Sequence, residues 1–294
     1  MENPRILVPT DLSDLSLMAF ESANYLADVL DGSILPLYVY QPEKESGSFP
    51  IAPKTTRSIP ELEKELESKI RDYADDDNLE PVVVRKGKPW KIIVEESHDA
   101  DIVVMSSHGR SGFSRLFLGS VTERVVRFSN APVLLVEKES KIKPLSDILL
   151  TTDFSDNSLE AFDYARALVK KTYAHIHLVH LVNLSQFTKI STFEDQVEAL
   201  QKRLDKWVDE HLEDIRDKVT AEALPVKSSI HEAIVLLTQQ KKYNLVVMST
   251  LGHTGLNYLR LGSTAANVLR LVKTAVLSIN PKMDDPIGKE HGEL

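Results

Sequence analysis

Short, continuously apolar runs alternate along the chain with longer stretches in which apolar residues return at helical spacing. In the first half, Arg5 to Val8 is a compact apolar run closed by Pro9. Ser13 or Asp14 can then cap a helix in which Leu17, Phe20, Tyr25 and Leu26 fall at mostly helical intervals. Ile34 to Tyr40, Pro81 to Arg85, Asp101 to Met105 and Ala131 to Val136 predict four further strands. Helices are expected over Leu62 to Tyr73 and from near Pro89 and Arg115. Residues 41–59, rich in Pro, Ser, Gly and Lys, read as a long loop able to act as a lid.

The second half repeats the order. Strands are expected at Ile148 to Leu150, His175 to Val182, near Leu224 to Val226, at Leu245 to Met248 and at Ala275 to Ile279. A helix follows from Asp156, and a long one lies within Ser191 to Val219. Unbroken apolar strands suit a sheet covered on both faces, and strands separated by helices imply right-handed crossovers and parallel pairing. Each half therefore reads as an α/β, doubly wound domain around a five-stranded, mainly parallel sheet. The expected domains are residues 1–140 and 146–281, joined by the charged stretch Glu139 to Asp147, with a frayed polar tail over 282–294.

The two halves also share wording. Met105-Ser-Ser-His-Gly-Arg-Ser-Gly-Phe-Ser-Arg-Leu-Phe-Leu-Gly-Ser120 is matched by Met248-Ser-Thr-Leu-Gly-His-Thr-Gly-Leu-Asn-Tyr-Leu-Arg-Leu-Gly-Ser263. Gly109 and Gly252 stand 143 positions apart, as do Gly119 and Gly262, while Asp11 and Asp153 stand 142 apart. Two motifs repeated at nearly one spacing mean an internal duplication. A chain of 294 residues gives each copy enough length for its own core. The net charge of −9 disfavours non-specific contact with nucleic acid or anionic membrane. The absence of cysteine removes disulfides and thiolate chemistry. With no signal-like N-terminus and no apolar run near the roughly 20 residues that span a bilayer, the chain is expected in the cytoplasm.

In such sheets ligands sit beyond the carboxyl ends of the strands, where strand order reverses. Met105 ends a strand, Ser106-Ser107-His108-Gly109 follows at once, and nine residues later Gly119-Ser120 opens a helical stretch. Glycine permits close approach of backbone to an oxyanion, and a following helix start adds partial positive charge. Ser120 and Thr122 offer hydroxyls, and His108 and Arg110 offer charge. Asp11, just past the first strand, is placed to accept bonds from a sugar hydroxyl or a base amino group. A lone glycine pair is more often a plain turn; the strand before, the helix after, the aspartate and the repetition give this one weight.

On these residues the sequence resembles the universal stress protein family, in its tandem-domain form. The family's Gly-x2-Gly-x9-Gly-Ser/Thr pattern appears as Ser106-x2-Gly109-x9-Gly119-Ser120 and Ser249-x2-Gly252-x9-Gly262-Ser263. Val8-Pro9-Thr10-Asp11-Leu12-Ser13 and the Gly87-Lys88-Pro89 turn match as well. The resemblance implies a stress-response regulator that binds an adenine nucleotide, ATP, often with Mg²⁺ or Mn²⁺. It carries adenosine contacts onto Pro9, Thr10, Asp11 and Val39. It adds Met105, Ser106, His108, Gly109, Gly119, Ser120, Val121 and Thr122 to the same site, with the glycine loop holding the phosphates. In the second copy it points to Asp153, Gly252, Gly262 and Ser263. Single-domain members pair through the strand ending each domain, so two fused copies are expected to form an intramolecular pseudo-dimer through Ala131 to Val136 and Ala275 to Ile279. A further homodimer and an unknown protein partner stay open.

The second copy departs further from the pattern: Thr151 replaces Pro9, Leu251 replaces His108, and Ile230-His231-Glu232 is read in place of Gly-Lys-Pro. These changes favour nucleotide in the first copy. No lysine follows either glycine pair, so binding is expected ahead of turnover; a slow ATPase or autophosphorylating protein and a nucleotide-free scaffold are the alternatives. His175, His177 and His180 look like a metal cluster, but alternation along a strand puts His180 on the face opposite the other two, which favours core or interface roles. Asp75 to Asp77 reads as a solvated helix end, and Trp90 and Trp207 as packing residues.

Overall fold

The computed structural model describes residues 3–41, 58–107, 118–140, 142–184, 193–252 and 261–280. The expected lid over 41–59 therefore lies almost wholly outside the described residues, as do His108, Gly109 and the tail. In the first copy the elements are β1 (Arg5–Thr10), α1 (Asp14–Leu30), β2 (Ser33–Tyr40), α2 (Ile59–Ile70), β3 (Val83–Lys86), α3 (Pro89–Glu96), β4 (Ile102–Ser106), α4 (Ser120–Phe128) and β5 (Val133–Val136). The second runs β6 (Asp147–Thr151), α5 (Asp156–Lys171), β7 (His175–Asn183), α6 (Phe193–His211), β8 (Val219–Val226), α7 (Ile230–Gln240), β9 (Leu245–Ser249), α8 (Ser263–Leu271) and β10 (Ala275–Ile279).

All ten strands form one sheet, ordered β3-β2-β1-β4-β5-β10-β9-β6-β7-β8. Within each copy every pairing is parallel, and the order reverses between β1 and β4, and again between β6 and β9. The doubly wound α/β reading holds for both halves. The copies meet where β5 and β10 pair antiparallel, with Leu135 opposite Val276, Leu134 opposite Leu277 and Val133 opposite Ser278. These are the two strands expected to join the pseudo-dimer. Ser278 Oγ donates to Val133 O at 3.0 Å, and the Asn280 amide donates to Val126 O at 2.7 Å and Ser129 O at 2.9 Å. The joining segment is more than a charged tether: Ile142 and Leu145 are buried, and Leu145 N donates to Tyr25 Oη at 2.9 Å.

Two apolar cores follow from the unbroken strands. One face of the sheet is covered by α1, α2, α5 and α6 through Phe20, Leu66, Phe162 and Val208, the other by α3, α4, α7 and α8 through Ile93, Val125, Ile234 and Val268. The outer edge of β8 is protected by Gln201 of α6, whose amide donates to Ala221 O and accepts from Ala223 N, so it stands in for a neighbouring strand.

Several boundaries differ from the sequence reading. Helix α2 starts at Ile59 rather than Leu62 because Ser58 and Glu61 form a capping box. Helix α4 starts at Ser120, capped by Gly119, and not near Arg115. β8 begins at Val219, five residues before the expected run, since its first residues mix Thr and Glu with Val and Ala at the sheet edge. Asp76–Asn78 is a short 3₁₀ turn, exposed and paired through Asp76 to Arg71 at 2.9 Å.

The β5–β10 junction makes the two copies one packed body. Leu134, 1% exposed, is expected on truncation to alanine to lower the unfolding free energy by about 2–5 kcal/mol, read from urea denaturation followed by circular dichroism.

Candidate functional site

In each copy the strand that precedes the first helix ends in the same knot of hydrogen bonds. Thr10 Oγ1 shares a bond with Ser16 Oγ at 2.9 Å and accepts from Leu12 N at 3.0 Å. Thr152 Oγ1 repeats both contacts, with Ser158 Oγ at 2.9 Å and Phe154 N at 3.0 Å. Asp11 Oδ1 accepts from Ser13 N at 3.0 Å and Ser13 Oγ at 2.6 Å; Asp153 Oδ1 accepts from Ser155 N at 3.0 Å and Ser155 Oγ at 2.5 Å. The residue between carries positive φ in both copies, +63° at Leu12 and +63° at Phe154. A bulky side chain in the left-handed region is strained by about 1–2 kcal/mol, and strain of that kind concentrates at functional sites. Here it turns an aspartate to the carboxyl rim of the sheet, at the point where strand order reverses.

The glycine loop meets that aspartate. In the second copy Gly262 N donates to Thr250 O at 2.8 Å and caps α8; in the first, Gly119 N donates to Ser107 O at 3.0 Å and caps α4. Thr122 Oγ1 donates to Ser106 O at 3.2 Å and ties the first turn of α4 to the end of β4. A Cβ placed on Gly252 would stand 2.2 Å from Asp153 Oδ2, so any side chain at 252 would force the carboxylate to move. The first turn of α8 carries no acidic side chain, whereas that of α4 holds Glu123. The second helix start is thus the cleaner electropositive end for an anion.

These elements enclose a cavity of about 220 Å³ in the second copy. Its polar lining includes Asp153, Ser249, Gly252, Gly262 and Ser263; its apolar lining includes Val179, Leu181, Ile230, Ile234 and Met248. Thr151, Thr152, His180, Leu251, Thr264 and Ala265 complete the wall with Ser158 and Thr250. His180 Nδ1 donates to Thr152 O at 2.9 Å, and its ring lies 4.3 Å from that of Phe154.

Of the first-copy residues singled out in the sequence, Pro9 and Thr10 end β1, Asp11 follows them, and Val39 lies on β2. Met105 and Ser106 end β4, and Gly119, Ser120, Val121 and Thr122 open α4. Shifted by one repeat length they become Thr151, Thr152, Asp153, Leu181, Met248, Ser249, Gly262, Ser263, Thr264 and Ala265, all of which line the second cavity. His108 and Gly109 fall outside the described residues; their counterparts Leu251 and Gly252 line it too. Of this second set the sequence reading assigns only Asp153, Gly252, Gly262 and Ser263 to the site, although the repeat shift alone finds the rest. The wall residues Val179, His180, Ile230 and Ile234 needed the fold.

One proposed departure of the second copy disappears. Ile230-His231-Glu232 does not replace Gly87-Lys88-Pro89: Ser229 caps α7 as Lys88 caps α3, and Ile230 takes the place of Pro89. The Glu232 carboxylate accepts from Ser229 N at 3.1 Å as half of a capping box, which holds it below the ordinary carboxylate pKa. Gly87 has φ of +156° and donates to Tyr40 O at 3.0 Å, a conformation suited to glycine. His177 lies buried on one face of β7 while His180 reaches the cavity rim from the other. Trp207 packs edge-on against Phe154 and Phe162, and Trp90 lies 5.8 Å from Phe128. Among the described residues no helix is long and apolar enough to cross a membrane.

Gly252→Ala is expected to push Asp153 off its two bonds to Ser155 and to lower stability by about 1–3 kcal/mol. Asp153→Ala in the same chain removes the clash, so a double-mutant cycle in thermal denaturation should show strong positive coupling between the two positions.

Comparison with known proteins bears on this arrangement. The model of the universal stress protein family matches residues 2–137 and again residues 145–280. A universal stress protein of Methanocaldococcus jannaschii is 35% identical over 145 residues, covering 47% of this chain and 84% of that protein. A second from the same organism is 29% identical over 155 residues, covering 46% of this chain and 96% of its own length. Among solved structures, a universal stress protein from Archaeoglobus fulgidus superposes with a TM-score of 0.68 at 23% identity, covering 97% of this chain and 98% of that one. With both halves matched by one family model, the chain belongs to the universal stress protein family, as a tandem of two family domains joined into a pseudo-dimer.

Proposed function

We propose that the protein is a stress-response regulator that binds an adenine nucleotide, ATP, at the carboxyl rim of its first copy, and that the second copy keeps a site of the same construction. The observation that carries this reading is the second cavity: for every position assigned to the ligand in the first copy, the counterpart lines that one space. The chemistry of the lining fits a nucleotide. Gly252, Gly262, Ser263 and the start of α8 would hold phosphate through backbone N–H groups and a hydroxyl, with the helix dipole adding attraction. Asp153 would accept from ribose, and the apolar side chains of the lining would take the flat face of the base. In the first copy the same roles fall to Gly109, Gly119, Ser120 and Asp11, with Val39 and Met105 against the base. Ser120 and Ser263 directly follow Gly119 and Gly262, where a phosphate-loop lysine would stand, and this supports binding ahead of hydrolysis. Mg²⁺ or Mn²⁺ would arrive with the phosphates.

ATP at a hundred times its dissociation constant should stabilise the fold by about 2.7 kcal/mol, a shift plainly visible in a thermal melt. Asp11→Ala and Asp153→Ala are each expected to weaken one site by about tenfold or more, so that calorimetric titration of the two variants separates the copies. A melt unmoved by millimolar ATP would remove the nucleotide reading. Phosphate release at a rate abolished by Asp11→Ala would replace the regulator by an enzyme.

A further inference from the structure

The second copy contains a polar chain, buried at His177 and Tyr243 and half-exposed at Glu222, that its twin lacks. His177, on β7 and 7% exposed, lies between Tyr243, which precedes β9, and Glu222 of the edge strand β8. Its Nε2 is 3.2 Å from Glu222 Oε2, its Nδ1 bonds the Tyr243 hydroxyl, and the two rings stack with centroids 5.9 Å apart. The directions follow from the chemistry. A carboxylate only accepts, so Nε2 carries the proton; in the neutral ring Nδ1 then accepts, and Tyr243 donates. The chain therefore runs Tyr243 O–H to His177 Nδ1, and Nε2–H to Glu222.

Duplication supplies the control. One repeat length earlier, the register of the sheet places Leu35 at the position of His177 and Val83 at that of Glu222, with Ala100 at that of Tyr243. All three pack against the same apolar core face. An apolar trio suffices to build this corner of the fold, so the polar trio is a feature of the second copy alone. Replacing well-packed apolar groups by buried polar ones brings no general gain in stability.

What the trio does bring is sensitivity to acid. Burial, and then Lys241, hold the His177 pKa below the ordinary histidine value, against the hydrogen bond and charge of Glu222; His175 on the same strand adds to the depression. Tyr243, pushed up to about 12 by burial and by Glu222 and Asp147, keeps its proton throughout. The native state therefore prefers neutral His177, while the unfolded chain takes up the proton near its ordinary pKa of about 6.5. Stability is full above that value and is lost as pH falls from it towards the depressed native pKa. A second proton on Nδ1 also turns that atom into a donor facing the Tyr243 hydroxyl, so the tyrosine must swing its own proton away.

We propose that Glu222, His177 and Tyr243 form an acid-responsive element confined to the second copy, whose protonation loosens β7, β8 and β9 and with them the cavity that β7 and β9 wall, while the first copy holds. The position suits the task. Two and four residues beyond His177, β7 contributes Val179 and Leu181 to that cavity, and β9 contributes Met248 and Ser249.

Hydrogen exchange of the full-length protein without added ligand tests this, compared between about pH 7.5 and about pH 5 after correction for intrinsic rates. Protection in β7–β9 is expected to fall several-fold more than in β1, β2 and β4, and His177→Leu, which installs the twin's residue, should bring the two copies level. Equal losses in both copies, or an undiminished loss in His177→Leu, would overturn the proposal. Should that variant fold poorly, the nuclear magnetic resonance titration of His177 in the unaltered chain decides: an inflection below about 6.5 is expected, and one at or above it sinks the idea.

Discussion

Antiparallel pairing of β5 with β10 governs the rest of the molecule. Each copy is an open parallel sheet, so β5 and β10 would each end it with unmet backbone donors and acceptors, and burying those two edges against one another satisfies both. Because the joint is antiparallel, the carboxyl rims of the two halves point in opposite directions. The two candidate sites consequently open on opposite margins of a single sheet. They cannot share a ligand, and a molecule bound at one rim touches nothing at the other. The sheet between them is packed on both faces, with Leu134 and Leu277 in one core and Leu135 and Val276 in the other.

The sites themselves depend on a strained turn made twice. Leu12 and Phe154 sit in a backbone conformation that their side chains disfavour, held there by a threonine hydroxyl on their own N–H and by the aspartate–serine bonds on either side. The same four polar residues could have continued a strand or opened the helix sooner. They instead project a carboxylate at the carboxyl rim, and in the second copy it lies so close to Gly252 that a Cβ there would stand 2.2 Å from Asp153 Oδ2. Strain, carboxylate and glycine are one device, which explains why they recur together at one repeat distance.

Much of this was legible in the sequence because the strands are buried on both faces. Apolar runs such as Ile102 to Met105 and Leu245 to Met248 have one reading as short buried strands, and a duplicated chain supplies each reading twice. Legibility failed where local chemistry outweighed hydrophobicity. The first half of β8 reads Val-Thr-Ala-Glu-Ala, an edge strand with one wet face, and the apolar pattern marks the strand only from Leu224. Ser58 with Glu61, and Ser229 with Glu232, are capping boxes whose signal lies in a spacing of three and not in composition; overlooking the second led to a false comparison with Gly87-Lys88-Pro89. The histidines show a different limit. Alternation correctly separated His177 from His180, but the partners of His177 lie 45 and 66 residues away and become neighbours only through parallel strand order.

Divergence between the copies then acquires a physical meaning. The positions that build the turn and the glycine cradle are kept in both halves, while the core corner beneath the second cavity exchanges Leu35, Val83 and Ala100 for His177, Glu222 and Tyr243. A polar chain in a core is stable only while every donor meets an acceptor, so its stability depends on a single proton in a way that an aliphatic corner cannot. Drift towards a weaker fold would be expected to scatter such changes. Here three residues from three segments, remote in sequence, carry groups that satisfy one another, and they lie behind the walls of the candidate cavity. The two halves share an architecture and one sheet, and differ in what the solvent can do to them.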